Sequence, residues 1–256
     1  MIDYVLGRTG EQSLYYFCHS QGCQTMFVQL SINPQFGTKI RKIFALAPAY
    51  TMTHVGGILH QWEQTYEMTQ GFFNLLGDRE FFDYAPTRPL AQAVCDNPVT
   101  VQTCIDILVY INGPKSDQFN CSRTGVYLSH TPAGTSAQNM RHFVQLVRNK
   151  RLMSYDRGPE QNLRCYGSIC PPEYNIGNVN ADIYIFYSDC DWIVSAGDIE
   201  QRLIPALPPS SIKQVWKLRG FNHGSFMWGL RATPEIYEPI AAIIKADQMN
   251  YLHNGI

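Results

Sequence analysis

Charge is scarce in this chain. Asp, Glu, Lys and Arg make up only 16% of its 256 residues, they sum to a net charge of −1, and no run of Lys or Arg occurs. Nucleic acid and anionic membrane surfaces both demand a basic patch, so both are poor candidate partners. Long apolar runs are missing as well: nothing approaches the ~18 consecutive apolar residues that a membrane-crossing helix needs. Met1-Ile2-Asp3 leads straight into a helical pattern, without the profile of a signal peptide. The eight cysteines contain no C-x-x-C spacing, so no zinc site is expected. Their number suits an oxidising compartment without establishing one. Asn120-Cys121-Ser122 is the single glycosylation sequon with a permitted middle residue, and it would carry sugar only on a secreted chain. Hydrophobic residues are plentiful at 45%, with 15 Tyr, 13 Phe and 4 Trp. That suffices for one large domain, or one domain with an insertion. A core accounts for most of the aromatics, and an apolar binding cleft would account for some.

The most informative stretch is Leu14 to Thr25, Leu-Tyr-Tyr-Phe-Cys-His-Ser-Gln-Gly-Cys-Gln-Thr. Leu14 to Phe17 is short, apolar and aromatic, the composition of a buried strand. From Cys23 to Leu30 the apolar residues Met26, Phe27 and Leu30 mark the start of a helix. A strand, a tight turn centred on Ser20 and a helix make the nucleophile elbow of α/β-hydrolases. The serine sits in a strained turn, so the residues two positions away on either side must be small. Gly22 is small; Cys18 stands where glycine is usual. The turn lifts the Ser20 hydroxyl above the sheet and sets the Gln21 backbone N–H at a helix N-terminus, where it can donate to an oxyanion. Small-x-Ser-x-Gly also arises by chance, and the flanking strand and helix separate this instance from chance.

Around the elbow the pattern alternates. Ile2, Val5 and Leu6 have helical spacing, ended by Gly7 to Gly10. Asn33 to Gly37 is a turn, and Ile43 to Ala47 a second strand stopped by Pro48. Ile183 to Tyr187 is a third strand, and Val215 to Leu218 a fourth. A helix over Gly197 to Leu203 has Ser195 and Asp198 in capping-box spacing, and a last helix covers Glu235 to Ala246. Alternating strands and helices argue a parallel sheet. Between Thr51 and Asn178 the alternation is lost. There Phe72, Phe73, Leu75, Leu76, Phe81 and Phe82 form an apolar cluster. Val99 to Ile111 predicts a helix with Thr100 at its N-cap, and Thr135 or Ser136 a cap for a helix through Met140, Phe143, Val144 and Val147. Pro171-Pro172 and Gly177 mark the exit. The expected architecture is α/β: an α/β-hydrolase core of residues 1–50 and 178–256, with a partial, mostly parallel sheet, carrying a mainly helical cap inserted at residues 51–177.

A serine hydroxyl is a weak nucleophile that needs a base within reach, and the base needs an orienting carboxylate. In this fold the chain order is Ser, acid, His. The loop after the third strand, Ser188-Asp189-Cys190-Asp191-Trp192, offers two aspartates. The loop after the fourth, Arg219 to Gly224, offers His223. The other histidines, His19, His54, His60, His130, His142 and His253, lack this combination of order and loop. Spacing leaves Asp189 and Asp191 both open.

Several of these stretches resemble the acid lipase family, which contains the gastric and lysosomal acid lipases. His19-Ser20-Gln21-Gly22 matches its Gly-His-Ser-Gln-Gly elbow except at Cys18. Tyr127-Leu128-Ser129-His130-Thr131-Pro132-Ala133-Gly134-Thr135-Ser136 resembles its cap signature. Asp191-Trp192 with Asp198 resembles its acid loop, and Asn222-His223 with Phe226 and Trp228 its base loop. The similarity runs nearly end to end. It implies Ser20 as nucleophile, Asp191 as acid, His223 as base and the Gln21 N–H as an oxyanion donor. It implies no metal or organic cofactor, a neutral lipid ester as substrate met at a lipid–water interface, and a secreted or lysosomal setting. Family members carry roughly a further half-domain before the elbow, including early strands and a loop with a second oxyanion donor. This chain is therefore expected to correspond to the C-terminal part of a lipase, with the N-terminal half of the fold as a possible partner. The rival expectations are an inactive fragment or lipid-binding pseudoenzyme, and another α/β-hydrolase such as a short-chain esterase or peptidase.

Overall fold

The computed structural model describes residues 1–65, 80–81, 88–114, 116–131 and 133–254. Four strands form one parallel sheet: β1 (Leu14–His19), β2 (Ile40–Leu46), β5 (Ile183–Ser188) and β6 (Ile212–Leu218), in the order β1-β2-β5-β6. Phe17 pairs with Phe44, Ala45 with Ile185, and Phe186 with Trp216. The two inner strands are the apolar runs, Ile43-Phe44-Ala45-Leu46 and Ile183-Tyr184-Ile185-Phe186, and they are largely buried, as expected for strands covered on both faces. The outer two are half exposed, and β6 accordingly mixes Lys213, Gln214 and Lys217 among its apolar residues. Parallel neighbours need crossovers. Helix α1 (Ile2–Thr9) precedes β1, and α2 (Gln21–Ile32) joins β1 to β2, burying Phe27 and Leu30 completely.

Between β2 and β5 the described residues form helices α3 (Gly57–Gln64), α4 (Arg88–Cys95), α5 (Val101–Asn112), α6 (Thr124–Leu128), α7 (Ala137–Asn149) and α8 (Pro159–Tyr166). They also form a two-residue antiparallel ladder of β3 (Glu80–Phe81) with β4 (Thr135–Ser136), a pairing that the helical patterns of this stretch do not announce. Ser136 explains it: as N-cap of α7 it has extended backbone, φ −80° and ψ 148°, and its side chain accepts from the Asn139 N–H. A capping residue is half outside its helix and remains free to pair as a strand. Thr100 behaves differently from expectation. It precedes α5, but its hydroxyl donates to the Val94 carbonyl rather than capping the helix. Of the cluster from Phe72 to Phe82, only the backbone of Phe81 lies among the described residues.

After β5 comes a helical stretch, α9, at residues 196–206, followed by α10 (Ser225–Trp228) and α11 (Glu238–Asn254). The last helix runs beyond the expected Ala246 and is entered through a wider turn at Thr233–Tyr237. Asp247 fastens it to the sheet. Its carboxylate accepts from the Tyr15 hydroxyl at 2.7 Å, lies 2.9 Å from Lys42 Nζ and also meets the Arg41 guanidinium. Burial alone would raise the pKa of this carboxyl, but hydrogen bonds from Tyr15, Lys42 and Arg41 outweigh it and pull it down to about 2. Burial and the Asp247 contact push the Tyr15 hydroxyl up to about 12. Among the described residues no helix is long and apolar enough to cross a membrane.

Candidate active site

Ser20 occupies the turn between β1 and α2 with φ 54° and ψ −122°, a left-handed conformation unusual for a side-chain-bearing residue. The strain is held by backbone bonds on both sides. The Ser20 N–H donates to the Leu46 carbonyl at 3.0 Å, and its own carbonyl accepts from Cys23 and Ala49 at 3.1 and 3.2 Å. Gln21 is the first residue of α2, so its N–H has no acceptor within the helix and faces the helix's positive end. A Cβ at Gly22 would meet the Cys18 Cβ at 3.8 Å, an ordinary contact. The demand for smallness at position 22 is thus weaker than the sequence suggested: a methyl fits, and larger groups run into Cys18. Cys18 itself is accommodated because its sulfur is bonded to Cys23 in the first turn of α2.

Asp191 and His223 meet from two different loops. His223 Nδ1 lies 2.7 Å from Asp191 Oδ2, and both side chains are buried. The other Asp191 oxygen accepts from the Ile193 and Val194 N–H groups at 2.8 Å each, so the carboxylate is oriented from both ends. Of the two aspartates in this loop, Asp191 faces the imidazole, whereas Asp189 is exposed and accepts from the Ser188 hydroxyl. Asp198 lies elsewhere. It receives the Ser195 cap at its N–H, but its carboxylate accepts from the Thr53 and His54 N–H groups instead of closing a capping box, and so it pins the chain leaving β2.

His19 links the elbow to this pair. Its ring packs on that of His223 with centroids 4.5 Å apart, and its Nε2 lies 3.0 Å from the His223 carbonyl oxygen, to which it donates. Burial, and then the proximity of His223, lowers the His19 pKa from the usual 6.5 to about 3, so it stays neutral beside the pair. No hydrogen bond joins the Ser20 hydroxyl to His223 in this structure; such bonds are often long in unliganded sites and tighten with substrate. A carboxylate that fixes Nδ1–H leaves Nε2 as a base, and Ser20 is the chain neighbour of the His19 ring that packs on this imidazole.

Several contributors were not evident from sequence. The Asn112 carbonyl accepts the His223 N–H at 2.9 Å, and the Pro114 carbonyl accepts from Asn222. Gly113 between them has φ 120°, and a Cβ there would approach the Cys190 carbonyl oxygen to 2.6 Å. Asn-Gly-Pro is a recognisable turn signal, but the residues it meets, Asn222 and His223, lie in a loop far along the chain. The Gln21 side chain donates to Asn139 on α7 at 2.7 Å, tying the elbow to the segment between β2 and β5.

No family model matches the chain. Individual proteins do. It is 39% identical to lipase lipl-1 of Caenorhabditis elegans over 254 residues, covering 98% of this chain and 63% of that one. It is 33% identical to human gastric triacylglycerol lipase, covering 96% and 61% respectively. It is 30% identical to the lysosomal acid lipase/cholesteryl ester hydrolase of Rattus norvegicus, covering 96% and 62%. The chain is homologous to these lipases over nearly its whole length. The similarity takes in the sheet, the elbow and the helices between β2 and β5 alike. The chain spans less than two thirds of the length of these lipases, at 61–63%. With the parallel sheet and the elbow, the homology identifies the architecture as a partial α/β-hydrolase fold.

Proposed function

We propose that the chain carries the Ser20–Asp191–His223 triad of a serine ester hydrolase acting on neutral lipid. One observation carries this reading: a buried Asp191–His223 pair at 2.7 Å, whose imidazole packs on the ring of His19, the residue just before a serine held in an elbow turn. The Ser20 oxygen attacks the ester carbonyl carbon while its proton passes to His223 Nε2. The resulting oxyanion is received by the Gln21 N–H at the start of α2. The bond to the alcohol breaks, and that oxygen takes the proton from Nε2. Water then attacks the acyl-serine by the same route, releasing the fatty acid and restoring Ser20. Asp191 stays ionised throughout and holds the tautomer. Residues 51–177 form the cap, which touches the site through Asn139 on Gln21 and Asn112 on His223, and it supplies the acyl cleft at the lipid–water interface.

Triacylglycerol or cholesteryl ester is the favoured substrate class, since relatives bear those names. A secreted or lysosomal setting fits both the gastric and lysosomal relatives and the disulfides Cys18–Cys23 and Cys95–Cys104, which persist in oxidising compartments. The test is a series of p-nitrophenyl esters from acetate to palmitate, given to the full-length protein and its Ser20→Ala variant. Expected is turnover that rises with chain length and falls by orders of magnitude in the variant. Preference for acetate would favour a short-chain esterase, and Ser20-independent turnover would reject the reading.

A further inference from the structure

The Cys18–Cys23 disulfide has no part in the chemistry described above, yet it encloses the whole turn His19-Ser20-Gln21-Gly22. It joins the end of β1 to the first turn of α2, with Cα atoms 4.9 Å apart. We infer that this bridge is a positioning brace for the nucleophile: it holds Ser20 in its left-handed conformation and thereby sets both the hydroxyl and the Gln21 N–H. The inference rests on the serine-hydrolase reading.

Three observations support it. First, Ser20 has a positive-φ backbone conformation that is unfavourable for a residue with a Cβ and persists only where the surroundings impose it. The bridge spans the residues immediately flanking that turn. Second, the sulfurs are enclosed by protein. Cys18 and Cys23 are 6% and 0% exposed, and the Phe44 and Leu46 carbonyl oxygens lie 3.6 and 3.9 Å from the two sulfurs. Third, breaking the bond requires movement. Bonded sulfurs sit about 2 Å apart, whereas unbonded heavy atoms need roughly 3.5–4 Å. Two thiols in this volume must push the strand end away from the helix start, and the turn between them carries Ser20. Misplacing a reacting group by about 1 Å can cost on the order of 10²-fold in rate.

Reduction is a two-electron exchange with an external dithiol. One thiolate attacks a protein sulfur, breaking the S–S bond and forming a mixed disulfide. The second thiol displaces the remaining cysteine, leaving two protein thiols and an oxidised reductant. The experiment uses full-length protein, oxidised and then treated with dithiothreitol, with freed thiols trapped by isotopically distinct alkylating agents and mapped by mass spectrometry. Kinetics on a p-nitrophenyl ester are read on samples whose circular dichroism is unchanged. Expected is a fall in kcat of about 10- to 100-fold with KM within twofold, tracking the fraction of Cys18 and Cys23 found as thiols and reversing on reoxidation. The Cys95→Ala/Cys104→Ala variant, which lacks the other bridge, should respond to reductant in the same way. Cys18→Ala/Cys23→Ala, smaller and unable to crowd, should not respond at all. Full kcat in molecules with both thiols free, or a response that persists in Cys18→Ala/Cys23→Ala, overturns the brace. Absence of any ester turnover by the oxidised protein overturns the hydrolase reading and the brace with it.

Discussion

Replacing Asp191 with Asn should lower kcat by about 10⁴-fold while leaving the fold intact, whereas Asp198→Asn and Asp189→Asn should each change it by less than about tenfold. The difference follows from hydrogen-bond direction. One Asp191 oxygen accepts two backbone N–H groups, and an asparagine oxygen can keep both. The other faces His223 Nδ1 at 2.7 Å. An asparagine places an NH₂ there, which donates to Nδ1 and drives the imidazole proton onto Nε2. Nε2 then has no lone pair with which to take the Ser20 proton. Asp198→Asn loses something else. Its carboxylate accepts from Thr53 and His54, so the variant should lose about 1–3 kcal/mol of stability, read as a lower melting temperature, without a large loss of turnover. Steady-state kinetics and thermal melts on the three variants, in full-length protein, separate the cases. A larger kcat loss in Asp198→Asn than in Asp191→Asn would reassign the acid.

The second large effect concerns association. A polypeptide of residues 1–256, purified alone, should not remain a monomer. In the sheet order β1-β2-β5-β6, β1 pairs on one side only among the described residues. Its sequence, Leu-Tyr-Tyr-Phe-Cys-His, carries no Lys, Glu or Pro to discourage a second strand, and Phe17 is 49% exposed. An open edge with apolar, aromatic side chains is a template for strand addition. Light scattering after size exclusion should show dimers or larger species, and Phe17→Lys should shift the population toward monomer. A monodisperse monomer of the unaltered polypeptide at high concentration would contradict the edge argument.

What sequence made legible was short-range. The inner strands announce themselves because both faces are buried and the apolar run is unbroken, as in Ile183 to Phe186. The outer strand β6 was found only from Val215 onward, because Lys213 and Gln214 face solvent and interrupt the pattern. The elbow was legible because strand, turn and helix are contiguous and the turn dictates residue size. What escaped was long-range or depended on fine geometry. The Cys18–Cys23 bridge closes only when a strand end and a helix start converge, which cysteine spacing does not reveal. The Gln21–Asn139 and Asn112–His223 contacts join residues more than a hundred positions apart. The Ser195–Asp198 spacing implied a reciprocal box, but the carboxylate had a better use in holding two N–H groups of the chain leaving β2.

Covalent labelling decides whether Ser20 is an activated nucleophile. Full-length protein is treated with a fluorophosphonate, digested and analysed by tandem mass spectrometry. A single phosphonylated site, Ser20, is expected, formed at a rate that falls sharply in His223→Ala. Label on a different residue, or labelling of Ser20 that is indifferent to His223, would contradict it.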